Sequence, residues 1–218
     1  MKIIKKYRYA LFISLYGVVY MFVFRCLEQR RNITYHTIHC TLDDKIPFCE
    51  YFVIPYLLWF FYIFATVFYF VIINRNETDC RRLLTMLCSG MTLFLLISFC
   101  YPNGLHLRPL HLQDRNFFTH LVLLLYQTDT PTNVFPSIHV FNSMAVYFAI
   151  TNCRQLTKHR LLCNGVLLLT ILIVLSTLFL KQHSVIDVVF GMLLAFALYA
   201  LCYQKVPLRQ SRQLEQKI

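Results

Sequence analysis

Charge is scarce in this chain. Only 14% of its 218 residues are Asp, Glu, Lys or Arg, against 58% hydrophobic and 16% aromatic, too little polar surface for an ordinary soluble domain. Acidic residues are the scarcer sign, 10 against 21 basic. In a soluble protein that imbalance would suggest nucleic acid. Here the basic residues sit in short clusters between apolar runs, the pattern that orients membrane proteins and meets anionic lipid, so no nucleic-acid partner is expected. There is no C-x-x-C pair among the nine cysteines. Several, such as Cys88, Cys100, Cys163 and Cys202, lie inside apolar runs and read as small hydrophobes. Cys40 and Cys49 share the first loop, where an extracytoplasmic setting would permit a disulfide. Internal repeats, low-complexity tracts and room for a second large domain are also missing.

What the chain has is long charge-free runs. A hydrocarbon core about 30 Å thick takes roughly 20 apolar residues per helical span, and six spans can be read: Tyr9 to Phe24, Tyr51 to Ile73, Leu83 to Tyr101, Val134 to Ile150, Leu161 to Leu180 and Val185 to Tyr203. The expected fold is an all-α, polytopic membrane helical bundle of about six transmembrane helices. It forms a single domain over residues 1–203, followed by a short polar tail, 204–218. The first run follows a basic N-terminal stretch but ends at Phe24-Arg25-Cys26 without a small-residue cleavage pattern, so it reads as an uncleaved span.

Orientation follows from the loops, because cytoplasmic loops carry the excess of Lys and Arg. Lys2, Lys5, Lys6 and Arg8, then Arg75, Arg81 and Arg82, then Arg154, Lys158 and Arg160, then Lys205, Arg209, Arg212 and Lys217 all fall on one side if there are six spans. Both termini are then cytoplasmic. The first loop with Asp43, Asp44 and Glu50, the long third loop from Pro102 to Asn133, and the turn Lys181 to Ser184 are outside. Within the third loop, Phe117 to Tyr126 is apolar but too short to span, and reads as an interfacial or re-entrant helix beside the site.

Ionisable residues are costly near a bilayer, so their positions carry information. They gather in Tyr101-Pro102-Asn103-Gly104-Leu105-His106-Leu107-Arg108-Pro109, in Phe135-Pro136-Ser137-Ile138-His139, and in Lys181-Gln182-His183-Ser184-Val185-Ile186-Asp187. The topology puts all three on the extracytoplasmic face. If Asp187 opens the sixth helix, His183 lies one turn earlier, where the carboxylate can fix its tautomer and leave the other nitrogen as a nucleophile toward phosphorus. Pro136 suits a first helical turn, and free N–H groups around Ser137 and Ile138 would form an anion site with His139 at its rim as proton donor. Arg108 can clasp phosphate oxygens in bidentate fashion. Taken singly, each cluster also fits a helix cap or a solvated arginine; order, spacing and shared sidedness favour chemistry.

Together, these clusters resemble the type-2 phosphatidic acid phosphatase family of membrane lipid phosphatases, whose pattern is K-x6-R-P, then P-S-G-H, then S-R-x5-H-x3-D on a six-helix bundle. The resemblance implies a lipid phosphate phosphohydrolase acting on a lipid mono- or pyrophosphate, with a phospholipid or polyprenyl phosphate as substrate. His183 would form a phosphohistidine, Asp187 would orient it and His139 would protonate the leaving group. Arg108, Ser137 and Ile138, with nearby N–H groups, would hold the phosphoryl oxygens. No metal or cofactor enters such a mechanism.

Three positions depart from the family pattern. Tyr101 replaces the lysine of the first motif, Ile138 the glycine of the second and Thr177 the arginine of the third, so two cations are lost. Lys181 would restore one if the helix breaks there; on a continuous helix it would point roughly 200° from His183. The runs Ser176 to His183 and Phe135 to His139 also resemble the inositol phosphorylceramide synthase branch, as do Asp43-Asp44-Lys45-Ile46-Pro47-Phe48, Pro55-Tyr56 and Trp59. That branch implies phosphoalcohol transfer between lipids as the alternative. A non-enzymatic membrane protein with a degraded site is the third reading, resting on the two lost cations.

Overall fold

The computed structural model describes residues 3–74 and 76–203. Lys2, Arg75 and the tail 204–218, with Lys205, Arg209, Arg212 and Lys217, lie outside the described residues, as do the side chains of Lys5 and Lys6. The chain runs through α1 (Ile3–Glu28), β1 (His36–Thr37), α2 (Thr41–Lys45), α3 (Val53–Phe68), α4 (Glu77–Cys100), β2 (Asn103–Gly104), α5 (Phe117–Thr128), α6 (Ile138–Asn152), α7 (Arg160–Phe179) and α8 (Val185–Tyr203). A 3₁₀ turn, Glu50–Phe52, leads into α3 and a π turn, Tyr69–Ile73, ends it.

Five helical stretches are long and apolar enough to cross a membrane: Tyr7–Glu28, Glu50–Ile73, Glu77–Cys100, Arg160–Phe179 and Val185–Tyr203. They match five of the expected spans. Their outward residues, among them Leu11, Leu15, Phe61, Phe64, Leu168 and Phe196, are large, apolar and exposed, as a lipid-facing surface requires.

The expected fourth span differs. Helix α6 has 15 residues, about 22 Å of rise, which is short of the bilayer core. Its start is delayed to Ile138 because Ser137 is the N-cap, its Oγ accepting the Val140 N–H at 3.4 Å. Rather than facing lipid, α6 is buried on nearly all sides, with Val140, Phe141, Ala145 and Val146 fully enclosed. It is the axis around which α3, α4, α7 and α8 pack, and its Phe141 and Val146 join Met86, Leu83, Phe70 and Ile173 in the main core.

The expected short helix is α5. Asn116 caps it, accepting the Phe118 and Thr119 N–H groups at 2.9 Å, and Val122 and Leu125 pack on Val53, Tyr56 and Leu180. Strands β1 and β2 pair in parallel, His36 opposite Asn103, tying the first loop to the third. Cys40 and Cys49 are free thiols, as are the other seven cysteines, so the structure contains no disulfide between those two.

Close helix contact relies on two glycines, as is common where backbones approach within a membrane. A Cβ on Gly90 would sit 2.0 Å from the Phe141 ring, and one on Gly191 would sit 2.7 Å from the Ser137 carbonyl oxygen. The second contact presses α8 against the first turn of α6. Gly191→Ala is expected to force that backbone apart and to cost about 1–3 kcal/mol, read as a lowered unfolding midpoint of the detergent-purified protein; an unchanged midpoint would refute this packing.

Candidate active site

The third cluster is built on a tight reversal. Helix α7 stops at Phe179, and Lys181 takes a left-handed φ of 53°. The N–H groups of Gln182 and His183 then both return to the Thr177 carbonyl at 2.9 and 3.0 Å. Helix α8 starts at Val185, and Asp187 in its first turn is completely buried. His183 Nδ1 lies 3.5 Å from Asp187 Oδ2, and that oxygen accepts the Ser184 N–H at 2.8 Å.

On its other side, His183 Nε2 is 3.3 Å from Nδ1 of His139. The two rings meet because the Ser137 N–H donates to the Asp187 carbonyl oxygen at 3.0 Å, stitching the start of α6 to the start of α8. The His139 ring is held between Tyr56 and Trp59 of α3, with centroids 4.7 and 4.4 Å away. His139, His183 and Asp187 are therefore brought together and buried, although 44 residues separate the histidines.

The other expected binding residues are arranged differently from one another. Arg108 Nη1 donates to the Tyr126 carbonyl at 3.2 Å, and Nη2 to the Asp129 carbonyl at 2.7 Å and to Gln182 Oε1 at 2.6 Å. Its guanidinium also stacks on the Tyr126 ring at 4.4 Å. Burial lowers the pKa of Arg108 from its ordinary value, with Asp129 opposing that shift; an arginine stays charged regardless. The break expected at Lys181 is present, but its Nζ donates to the carbonyls of Asp43 and Ile46 at 2.7 and 2.5 Å, so the ammonium serves the first loop. Ser137 spends its hydroxyl as the α6 cap. Ile138 opens α6 and is not among the residues with positive φ, so the glycine it replaces is not needed for backbone freedom.

At the positions of the two lost cations, Tyr101 is exposed and stacks on His36 at 4.6 Å. Thr177 is buried and bonds back to the Val174 carbonyl at 2.8 Å. A cavity of about 40 Å³ lies against His139 and His183, with Asn133, Gln182, Thr130 and Thr132 also on its wall and no lysine or arginine lining it. A larger groove, about 620 Å³, opens between α1 and α4 near Arg8, Glu77 and Arg81. It holds none of the histidines and lies at the other end of α4, so the small cavity is the one that matters for the chemistry.

Two residues that organise the site carry little sequence signal. Asp43, almost wholly buried, accepts the Cys40 N–H at 2.8 Å and the Ser184 hydroxyl at 2.6 Å on Oδ2, and the Val185 N–H at 2.8 Å on Oδ1. Read by charge alone, it counted only toward topology. Asn103 Oδ1 accepts the Val134 and Phe135 N–H groups, both at 2.8 Å, while its Nδ2 donates to the Tyr101 carbonyl. It thereby fixes the approach to Ser137 and His139, and nothing in its sequence neighbourhood distinguishes it from an ordinary turn asparagine.

Two buried histidines and a buried aspartate thus meet at one end of a bundle of long apolar helices. The chain matches the family model of the PAP2 superfamily over residues 108–211, a match that supports membership of the type-2 phosphatidic acid phosphatase family. The matched stretch begins at Arg108 and includes all of α5 to α8; α1, α3 and α4 precede it. No curated protein and no solved structure gives a significant match. Membership supports a lipid enzyme of the phosphatase or phosphotransferase type, embedded in a membrane.

Burial works against the charge of Asp43, but hydrogen bonds from Ser184 and from the Val185 and Cys40 N–H groups outweigh it and hold the carboxyl below its usual range. Because folding lowers this pKa, the carboxylate stabilises the fold at neutral pH, and that contribution is lost on acidification, from about 3.9 downward. Asp43→Ala is expected to cost about 2–4 kcal/mol at pH 7 and to flatten the acid limb of the stability curve. Denaturation midpoints across pH would expose the idea as wrong if the variant kept the wild-type acid dependence.

Proposed function

We propose that the protein is a lipid phosphate phosphohydrolase that removes phosphate from a lipid mono- or pyrophosphate through a phosphohistidine on His183. The observation that carries this reading is the placement of His183, with one nitrogen 3.5 Å from Asp187 and the other 3.3 Å from His139, beside a small cavity. An imidazole oriented by a carboxylate in this way is an activated nucleophile.

In the first step, Nε2 of His183 attacks phosphorus, the N–P bond forms and the bond to the lipid oxygen breaks. His139 gives that oxygen its proton, and Asp187 stabilises the positive charge that builds on His183. In the second step, His139 takes a proton from water, whose oxygen attacks phosphorus. The N–P bond breaks and inorganic phosphate leaves. The gap of 3.5 Å to Asp187 is long for a hydrogen bond, and catalytic contacts of this kind commonly tighten when substrate binds.

The Ser137 N–H is spent on the Asp187 carbonyl, so the N–H groups of Ile138 and His139 in the first turn of α6 are the ones that favour an anion there, and Arg108 adds positive potential from behind Gln182. Lys181 has the different task of holding the first loop. The excess of Lys and Arg in the alternate loops supports an extracytoplasmic site.

One observation favours a second reading, phosphoalcohol transfer to a lipid acceptor. The α3 residues that resemble the inositol phosphorylceramide synthase branch, Tyr56 and Trp59, are the ones that hold the His139 ring. In that case, an alcohol takes the place of water in the second step.

The purified protein in mixed micelles is expected to release inorganic phosphate from phosphatidic acid or a polyprenyl pyrophosphate. His183→Ala should lower the rate by at least about 1,000-fold and Asp187→Ala by about 100-fold. A new phosphodiester lipid formed only with an alcohol acceptor would select the second reading. Equal rates in wild type and both variants would remove the catalytic assignment altogether.

A further inference from the structure

The two motif cations are missing, yet a phosphoryl group at this site still has oxygens to be held. Two carboxamides on the cavity wall have the features needed. Gln182 and Asn133 are each only 3% exposed, and both line the cavity shared with His139, His183 and Asp129, whose carboxylate accepts the Tyr56 hydroxyl at 2.7 Å. Gln182 Oε1 accepts Arg108 Nη2 at 2.6 Å, and Asn133 Oδ1 accepts Arg30 Nη2 at 3.3 Å. An arginine only donates, so in each case the amide atom facing it must be the oxygen. The NH₂ ends, Gln182 Nε2 and Asn133 Nδ2, then face away from the arginines, and both are buried without a partner among the described residues.

Neither amide is free to turn. Arg108 is pinned by two carbonyls and the Tyr126 ring. Arg30 is pinned by the Leu27, Ser98 and Phe99 carbonyls at 3.1, 2.6 and 3.1 Å, where it caps the end of α4. Asn133 itself adopts a left-handed φ of 54°, with its N–H donated to the Asn103 carbonyl at 2.7 Å, a conformation that Asn and Asp accept more readily than other side chains. Leaving two buried amide donors unpaired is costly, and such groups call for an explanation. A bound anion between them supplies one.

We propose that the carboxamides of Gln182 and Asn133 bind the non-bridging phosphoryl oxygens, each aimed by an arginine behind it, in place of the cations lost at Tyr101 and Thr177. The proposal rests on the reading of the cavity as a phosphoryl site. Arg108 and Arg30 are then positioning residues that act through the amides.

Inorganic phosphate, measured as a competitive inhibitor and by direct titration calorimetry of the detergent-purified protein, is the probe. Gln182→Glu and Asn133→Asp keep the acceptor oxygen for the arginine and nearly the same shape, but lose the donor. Gln182→Met loses the donor without adding charge. Each is expected to weaken phosphate binding by about tenfold or more, with the unfolding midpoint of the two carboxylate variants within a few degrees of wild type. Any of the three that folds and binds phosphate within twofold of wild type overturns the proposal. If the wild type turns over a lipid phosphate while the variants keep their phosphate affinity, only the amide assignment falls. A wild type that neither binds phosphate nor acts on any lipid phosphate removes the phosphoryl-site reading itself.

Discussion

Within five residues, Leu180 to Ser184, the chain leaves α7 and prepares α8 in a setting where unpaired backbone groups are expensive. The Thr177 carbonyl takes two N–H groups, and Asp43 from a distant loop takes the Ser184 hydroxyl and the Val185 N–H. Lys181 returns the tie by donating to the Asp43 carbonyl. Satisfying the backbone in this turn is the constraint on which the site depends. It fixes the direction of His183, the depth of Asp187 and, through the Ser137 N–H, the start of α6.

The helices and the pairing of His183 with Asp187 were legible in the sequence because both follow from strong local signals. Runs of about 20 apolar residues have few alternatives to a span, and H-x-x-x-D at a helix start brings the two side chains close even though His183 lies in the turn just before α8. Helix α6 was read too long, since apolarity alone does not tell lipid contact from burial inside a bundle. Asp43, Asn103, Gln182 and Asn133 were not legible as site residues. Their roles arise from contacts across 31 to 142 residues of sequence, such as the pair Asp43 and Val185, and no local pattern encodes such a meeting. Lys181 shows the converse: the break it needed is there, but the direction of a long side chain depends on which carbonyls lie within reach.

The electrostatics of the site also differ from what a count of cations suggests. Arg108 and Arg30 are close but do not line the cavity, whereas Asp129 does, with its carboxylate bound to the Tyr56 hydroxyl at 2.7 Å. If the Gln182 and Asn133 amides hold the phosphoryl oxygens, positive potential reaches the cavity through oriented neutral groups and works against Asp129, in a place where fixed dipoles act with little screening from water. The loss of Tyr101 and Thr177 as cations is then compatible with a working site, because charge has moved back by one side chain.

The shortness of α6 has a geometric consequence for how a lipid arrives. The cavity reaches Phe24 and Phe94, four residues before the end of α1 at Glu28 and six before the end of α4 at Cys100, so it lies about 6–9 Å below those helix tips. The histidines thus sit at the floor of a recess below the tips of α1 and α4. If the substrate is a lipid, its headgroup must dip below those helix tips to meet the histidines, while its chains can stay among the neighbouring lipids.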